Sequence, residues 1–244
     1  MDPQTALQIA TGVAAAAGGT TVVNNILSKE NMTKLLGPMF KAYGDDLGLR
    51  SEQNIQRRRE NAARVVIKAQ EKLGDRINEP GSVHPKVWKE VFDDGSYAED
   101  ELAADYFGGV LASSRTGVAR DDRGAAFAKM VGRLSVYQLR SHFITYNLIK
   151  GQFNGYELSP SLPDGREKMT IFIPFPGFIN AMELDDDEPY NAIFSHVLFG
   201  LNRESLIGDS SQYGTQKSLQ EDWQDAPNAG VLFTPSALGV ELFH

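Results

Sequence analysis

The sequence of 244 residues contains no cysteine. Disulfide bonds, thiolate zinc sites and a cysteine nucleophile are therefore excluded, and the composition suits a reducing compartment. Histidine is scarce: the sequence has four, far apart and without an HExxH pair, namely His84, His142, His196 and His244. Phosphate-binding loops of the Walker A or GxGxxG type are also missing. We therefore expect a cytoplasmic protein with no metal ion and no other cofactor.

No stretch of about 20 strongly apolar residues, the length of a membrane-spanning helix, is present. The nearest is "IATGVAAAAGGTTVV", residues 9–23, which consists mostly of small side chains. A secretory signal begins with basic residues, whereas the first lysine or arginine here is Lys29. Because small residues let helices approach closely, we predict that residues 1–30 form a helix that packs within the protein. Two alternatives are a homo-oligomer that associates through Gly12, Ala16 and Gly19 and, less favoured, entry into a membrane.

The helix predicted from residue 51 to about residue 77 has one apolar and one basic face. Residues at core spacing are Ala62, Val66, Ala69, Leu73 and Ile77. The opposite side carries a basic stripe of Arg57, Arg64, Lys68 and Lys72, a candidate surface for contacting a partner or phosphate groups. However, the formal net charge is −8, and acidic residues lie on or beside the stripe. A solvated helix face is therefore favoured over nucleic-acid binding.

Periodicity and capping residues predict a mainly α fold, with an N-terminal multi-helix domain over residues 31–154. Besides the helix with the basic stripe, we predict a helix over residues 31–49 that is broken at Gly37-Pro38. Further helices are expected over residues 82–94, within "SYAEDELAADYFGGVLASS", over residues 124–133, and after Ser135 to about residue 153. Ser135 is a suitable N-cap for the last of these helices.

A second module is predicted over residues 166–244, after the glycine- and proline-containing stretch "GYELSPSLPDG" at residues 155–165. "MTIFIPF" is typical of a strand, "DDEPYNAIFSHVLFGLNRESLI" of a helix, and "AGVLFTPSALGVELF" of a strand, turn and helix. This order predicts a small α+β winged-helix-like module, with residues 208–230 as a long wing. The fold analogy fixes no function, and the acidic start of the presumed recognition helix is poorly suited to DNA.

Two motifs are candidate sites, one for a serine nucleophile and one for a divalent cation. "GDSS", residues 208–211, is similar to the nucleophile block of GDSL-type hydrolases, in which Ser210 would attack a carbonyl, but the expected later DxxH is absent. "ELDDDEP" could hold a divalent cation through four carboxylates, but a solvated helix start is favoured because consecutive acids point in different directions. These carboxylates are Asp185, Asp186, Asp187 and Glu188. We therefore expect no enzymatic activity.

Several segments resemble the Abi-alpha family, the abortive-infection proteins of bacterial phage defence. They are "LLGPMFKAYGDDLG", "RRRENAARVVIKAQEKL", "VHPKVWKEVFDDGS" and "EDELAADYFGGVLASS", and the resemblance covers roughly residues 33–150. These motifs are packing patterns with no catalytic residues to carry over, so the resemblance implies a biological setting, antiviral defence, rather than a reaction.

From the resemblance we expect a non-enzymatic bacterial anti-phage protein that binds a phage or host component through its helical region, with a protein as the favoured partner. One alternative is a winged-helix-type regulator that binds nucleic acid, which the overall charge disfavours. Another is an effector that acts on membranes through its N-terminal segment.

Overall fold

The computed structural model describes residues 25, 26, 28, 30, 31, 34 and 52–244. Predictions for residues 1–24, including Gly12, Ala16 and Gly19, and for the helix broken at Gly37-Pro38 lie outside the described residues. The described part of the chain is mainly helical with two small antiparallel sheets, which confirms the mainly α prediction. The chain forms two compact units, an N-terminal unit that ends at Arg133 and a C-terminal unit from Leu134 to His244.

Between Glu52 and Arg133, the N-terminal unit has four α-helices and one pair of very short strands. In order, they are α1 (Glu52–Leu73), a 3-10 turn (Gly74–Asn78), β1 (Ser82–Val83), α2 (Pro85–Gly95), α3 (Glu101–Ser113), β2 (Arg115–Thr116) and α4 (Gly124–Arg133). β1 pairs with β2 in antiparallel fashion. The four helices match the predicted ones closely, whereas the two strands were not predicted.

Local capping explains where two of these helices begin. The Asp100 carboxylate accepts hydrogen bonds from the backbone N–H groups of Leu102 and Ala103, so it caps α3. The ring of His84 accepts a hydrogen bond from the Lys86 N–H at the start of α2. Pro85 occupies the first position of α2, where a missing N–H costs nothing. His84 is therefore explained as a helix cap.

The core of the N-terminal unit lies between α1 and α3. Val66 and Ala69 of α1 are fully buried, as predicted from their spacing. Gly108 of α3 permits a close approach of the two helices, because a Cβ there would lie 2.4 Å from Lys68 Cβ and 2.9 Å from the Ala69 nitrogen. The absence of a side chain at Gly108 thus sets the distance between α1 and α3.

The C-terminal unit combines six helices with a three-stranded antiparallel sheet. In order, they are α5 (Val136–Phe153), α6 (Pro163–Lys168), β3 (Ile171–Pro174), α7 (Phe175–Met182), α8 (Tyr190–Arg203), β4 (Gln212–Gly214), α9 (Gln216–Leu219), β5 (Gly230–Phe233) and α10 (Ala237–Phe243). The strand order is β3-β5-β4, so the last strand is central. α6, α7 and α9 were not predicted; α6 begins within the glycine- and proline-containing stretch at residues 155–165, which had suggested irregular structure.

α5 belongs to the C-terminal unit, which therefore begins upstream of the predicted boundary at residues 155–165. Ser135 caps α5 through a reciprocal pair of hydrogen bonds with Gln138. The buried Tyr146 hydroxyl donates to the Leu206 carbonyl and accepts from the Ser236 N–H. These long-range bonds attach α5 to the segments that follow α8 and precede α10.

The connection between β4 and β5, predicted as a long wing, packs against the sheet. Leu219 and Ala226 form a buried cluster with Leu232 of the central strand, and Phe172 and Trp223 pack against that cluster. The ring centroids of Phe172 and Trp223 are 5.8 Å apart. The connection therefore contributes its own hydrophobic contacts to the unit instead of extending only into solvent.

Candidate functional site

The four cations of the basic stripe all form ion pairs with acidic residues in or next to α3. Arg57 pairs with Glu99 at 2.5 Å, and Lys72 pairs with Asp105 at 2.9 Å. Arg64 and Lys68 both approach Glu101, at 3.5 and 3.7 Å. The structure therefore brings the four predicted residues together, but they lie along the seam between two helices. Phosphate groups would have to compete with these carboxylates.

Arg64 is the least accessible member of the basic stripe. Its side chain is 27% exposed and donates to Asn61 Oδ1 at 2.5 Å and to the Ala98 carbonyl at 3.2 Å. Exposed ion pairs such as Arg57 with Glu99 contribute only about 0–1 kcal/mol each. The stripe therefore contributes more to local charge balance and to the α1–α3 contact than to a free positive field.

The hydroxyl of Ser210 lies in a cluster of hydroxyl groups. It donates to Thr234 Oγ1 at 2.9 Å, and Thr234 Oγ1 also lies 2.9 Å from Thr170 Oγ1. A serine nucleophile requires a base within hydrogen-bond reach of its oxygen, and the observed partner is a second hydroxyl. This geometry favours a structural role for Ser210.

His142 is fully buried next to Tyr146, with ring centroids 4.5 Å apart. Its Nε2 lies 3.1 Å from the Gly239 carbonyl, so it donates a hydrogen bond to that oxygen. Burial lowers the pKa of His142 to about 3, since the charged form would lose its solvation. A neutral histidine of this kind stabilises the contact between α5 and α10.

The acidic segment before α8 is anchored at one residue and exposed at three. Glu188 accepts hydrogen bonds from the Tyr137 hydroxyl and the Asp185 N–H, and the bond from Tyr137 lowers the pKa of Glu188 below its ordinary value. Asp185, Asp186 and Asp187 are exposed. Among the described residues, no group of three or more His, Asp or Glu side chains is arranged to hold a metal ion.

The formal charge is distributed unequally between the two units. From Leu134 onwards the sequence has six lysine and arginine residues against fourteen aspartate and glutamate residues, a net charge of −8. The whole chain also has a formal net charge of −8, so the residues up to Arg133 are balanced. The C-terminal unit alone therefore carries the acidic character of the protein.

α8 presents one buried and one exposed face. Ile193, Phe194, Val197 and Leu201 are buried in the unit. Phe199 is out of phase with them and is 75% exposed, the highest value among the described large hydrophobic side chains. Ala192, His196 and Arg203 are exposed on the same side of the helix.

Both edges of this exposed side are held by hydrogen bonds. Ser135 Oγ, at the start of α5, lies 2.9 Å from His196 Nε2. On the other edge, the Ser195 hydroxyl lies 2.6 Å from the Tyr213 hydroxyl of β4. We refer to the exposed side chains Ala192, His196, Phe199 and Arg203, which share one side of α8, as the Phe199 face.

The Phe199 face was missed in the sequence, although a signal was present. Within "NAIFSHVLFGL", residues 191–201, the positions of Ile193, Phe194, Val197 and Leu201 follow helical periodicity, and Phe199 does not. An aromatic residue out of phase in an otherwise regular amphipathic helix is a candidate for surface contacts.

No protein-family model matches the sequence, and no curated protein or solved structure matches it either. No helix among the described residues is long and apolar enough to cross a membrane.

Proposed function

We propose that this chain is a non-enzymatic phage-defence protein that acts by binding a phage or host protein through its C-terminal unit. The observation that carries the proposal is an exposed aromatic side chain, Phe199, on a helix face of a unit with net charge −8. Aromatic residues are enriched in protein interaction surfaces relative to the rest of the protein surface. The resemblance of residues 33–150 to the Abi-alpha family supplies the biological setting, bacterial antiviral defence.

We infer in addition that the C-terminal unit is winged-helix-like. Its support is the order of two helices, a strand, two helices, a strand, a short helix, a strand and a last helix, with the last strand central in the sheet. Such a fold is often associated with DNA, which favours a nucleic-acid-binding regulator as the second candidate. The charge of this unit opposes it, because phosphate groups would be repelled.

A phage challenge tests the main proposal. Bacteria carrying the gene, or an empty vector, are infected with a broad phage panel, and plaque numbers and cell survival are counted. We expect fewer plaques for at least one phage in the presence of the gene. Equal plaque formation across the whole panel would contradict the proposal.

A gel-shift series at low salt separates the two candidates. We expect no complex between the wild-type protein and either duplex DNA or RNA. A comparison variant has the partners of the basic stripe made neutral, Glu99→Gln, Glu101→Gln and Asp105→Asn; it should bind more strongly than the wild type, because phosphates no longer compete with these carboxylates. A wild-type complex that weakens steeply with added salt would favour the regulator.

A further inference from the structure

We propose that the Phe199 face docks a short, basic, amphipathic segment of a partner protein. This inference rests on the proposed function and adds the surface and the chemistry of the partner. Its apolar component is Phe199, 75% exposed, with the exposed Ala192 two turns earlier on the same side of α8. The hydrogen bond between Ser135 and His196 places the start of α5 beside α8 at this level.

Phe199 is not needed to complete the core of the C-terminal unit. Residues on the opposite side of α8, including Phe194, Val197 and Leu201, already fill that core. Phe194 itself contacts the rings of Phe175, Phe178 and Tyr213, with centroids 5.3 to 5.9 Å apart. An aromatic side chain that leaves water on binding contributes strongly to an interface, and aromatic residues are common among the side chains that dominate binding energy.

The acidic segment that leads into α8 determines the character of the partner. Asp185, Asp186 and Asp187 are exposed in the segment that leads into α8, and the hydrogen bonds of Glu188 fix that segment near Tyr137 of α5. A partner segment with lysine or arginine at one end and apolar residues beyond it would match this arrangement. Complementary charge also speeds association, because opposite potentials steer the encounter.

The same charges disfavour two other occupants of the face. In a symmetric dimer the same surface is used twice, so two units with net charge −8 would be brought together. Nucleic acid would place phosphates near three exposed aspartates. Arg203, at the other end of the face, pairs with Glu204 at 3.4 Å, so its charge is offset. A basic protein segment is therefore the occupant that both Phe199 and the acidic segment before α8 favour.

The face is also preorganised for binding. Hydrogen bonds at both edges, Ser135 with His196 and Ser195 with Tyr213, hold α8 against α5 and β4. Gly200 allows Gln138 to lie directly against α8, since a Cβ there would come within 1.7 Å of Gln138 Nε2. Little backbone freedom is therefore lost when a partner binds, which lowers the entropic cost of association.

Fluorescence anisotropy with defined peptides tests this inference on the full chain. The probe is a labelled peptide of roughly 16 lysine and leucine residues in amphipathic helical order, long enough to form a helix. One control peptide has glutamate in place of lysine, and another has the same lysine and leucine residues in scrambled order. We expect the ordered basic peptide to bind, the scrambled one to bind more weakly, and the acidic one not to bind.

Variants of the protein localise the binding. Phe199→Ser should weaken binding of the ordered peptide by at least about tenfold, as for a central aromatic anchor. The matched control is Tyr156→Ser, because Tyr156 is 68% exposed in the same unit and lies outside the Phe199 face. Replacing the three exposed aspartates with asparagine should weaken binding and flatten its dependence on salt. Thermal melting checks that each variant is folded.

Three results would overturn the inference. They are equal affinity of wild type and Phe199→Ser for the ordered peptide, equal affinity of wild type for the ordered and scrambled peptides, and a wild-type dimer in sedimentation that Phe199→Ser dissociates. The phage challenge distinguishes failure of this inference from failure of the proposed function. If the wild type protects cells and Phe199→Ser protects them equally, the Phe199 face is not the binding surface, and the proposed function stands. If the wild type protects against no phage, only the proposed function fails.

Discussion

Two adjacent glycines in α3 provide a direct test of the contact between α1 and α3. Replacing either one with alanine raises helix propensity by about 1 kcal/mol, so this gain cancels when the two variants are compared. At Gly108 the new Cβ would lie 2.4 Å from Lys68 Cβ and 2.9 Å from the Ala69 nitrogen. At Gly109 the nearest atom is Lys72 Cε, at 3.5 Å, which is an ordinary van der Waals contact.

We expect Gly109→Ala to stabilise the N-terminal unit by up to about 1 kcal/mol. Gly108→Ala should be less stable than Gly109→Ala by about 1–3 kcal/mol, because overpacking against a backbone atom forces the two helices apart. The comparison uses neighbouring positions of one helix and the same substitution, so the difference isolates the steric contact.

The two tryptophans of the chain make this measurement specific for one unit. Trp88 is buried in α2 of the N-terminal unit, and Trp223 lies in the C-terminal unit. In a Trp223→Phe background, urea unfolding followed by fluorescence reports the N-terminal unit, and the free energy of unfolding is obtained by linear extrapolation. In a Trp88→Phe background, neither glycine variant should shift the transition of the C-terminal unit. Equal stability of the two variants would refute the close approach at Gly108.

Two further predictions concern the C-terminal unit, and in both the fluorescence of Trp223 reports its unfolding. Lowering the pH from 7 to 5 should destabilise this unit by about 2 kcal/mol through His142. The pKa of His142 is about 3 in the folded chain and 6.5 ordinarily, so between pH 7 and 5 only the unfolded chain takes up a proton there, and this uptake favours unfolding. His142→Gln should remove this pH dependence of the free energy of unfolding, whereas His244→Asn should keep it. An unchanged pH dependence in His142→Gln would contradict the buried neutral state of His142. Tyr146→Phe should cost about 1–3 kcal/mol, since it leaves a buried carbonyl and an N–H without their hydroxyl partner, and the exposed control Tyr156→Phe should be neutral.

The sequence alone determined most of the helices in the described residues. The bounds of α1, α2, α3, α4 and α5 depend on local signals, such as the caps Asp100 and Ser135 and the periodic apolar residues of each helix. β3, α8, β5 and α10 were also predicted. These features act over a few neighbouring residues, so they can be recognised without knowing how the chain folds back on itself. α6 was missed because it begins within the glycine- and proline-containing stretch at residues 155–165, and such residues are also common in turns.

Tertiary structure decided which predicted surfaces are free. The basic stripe looked like an accessible cationic face, but acidic residues more than 30 positions later in the sequence pair with it across the α1–α3 seam. α5 was placed with the helices before it, whereas hydrogen bonds from Tyr146 to the segments after α8 place it in the C-terminal unit. Phe199 is a candidate contact residue because the folded structure leaves its side chain exposed to solvent. Each of these outcomes depends on contacts between distant parts of the chain, which local propensity does not specify.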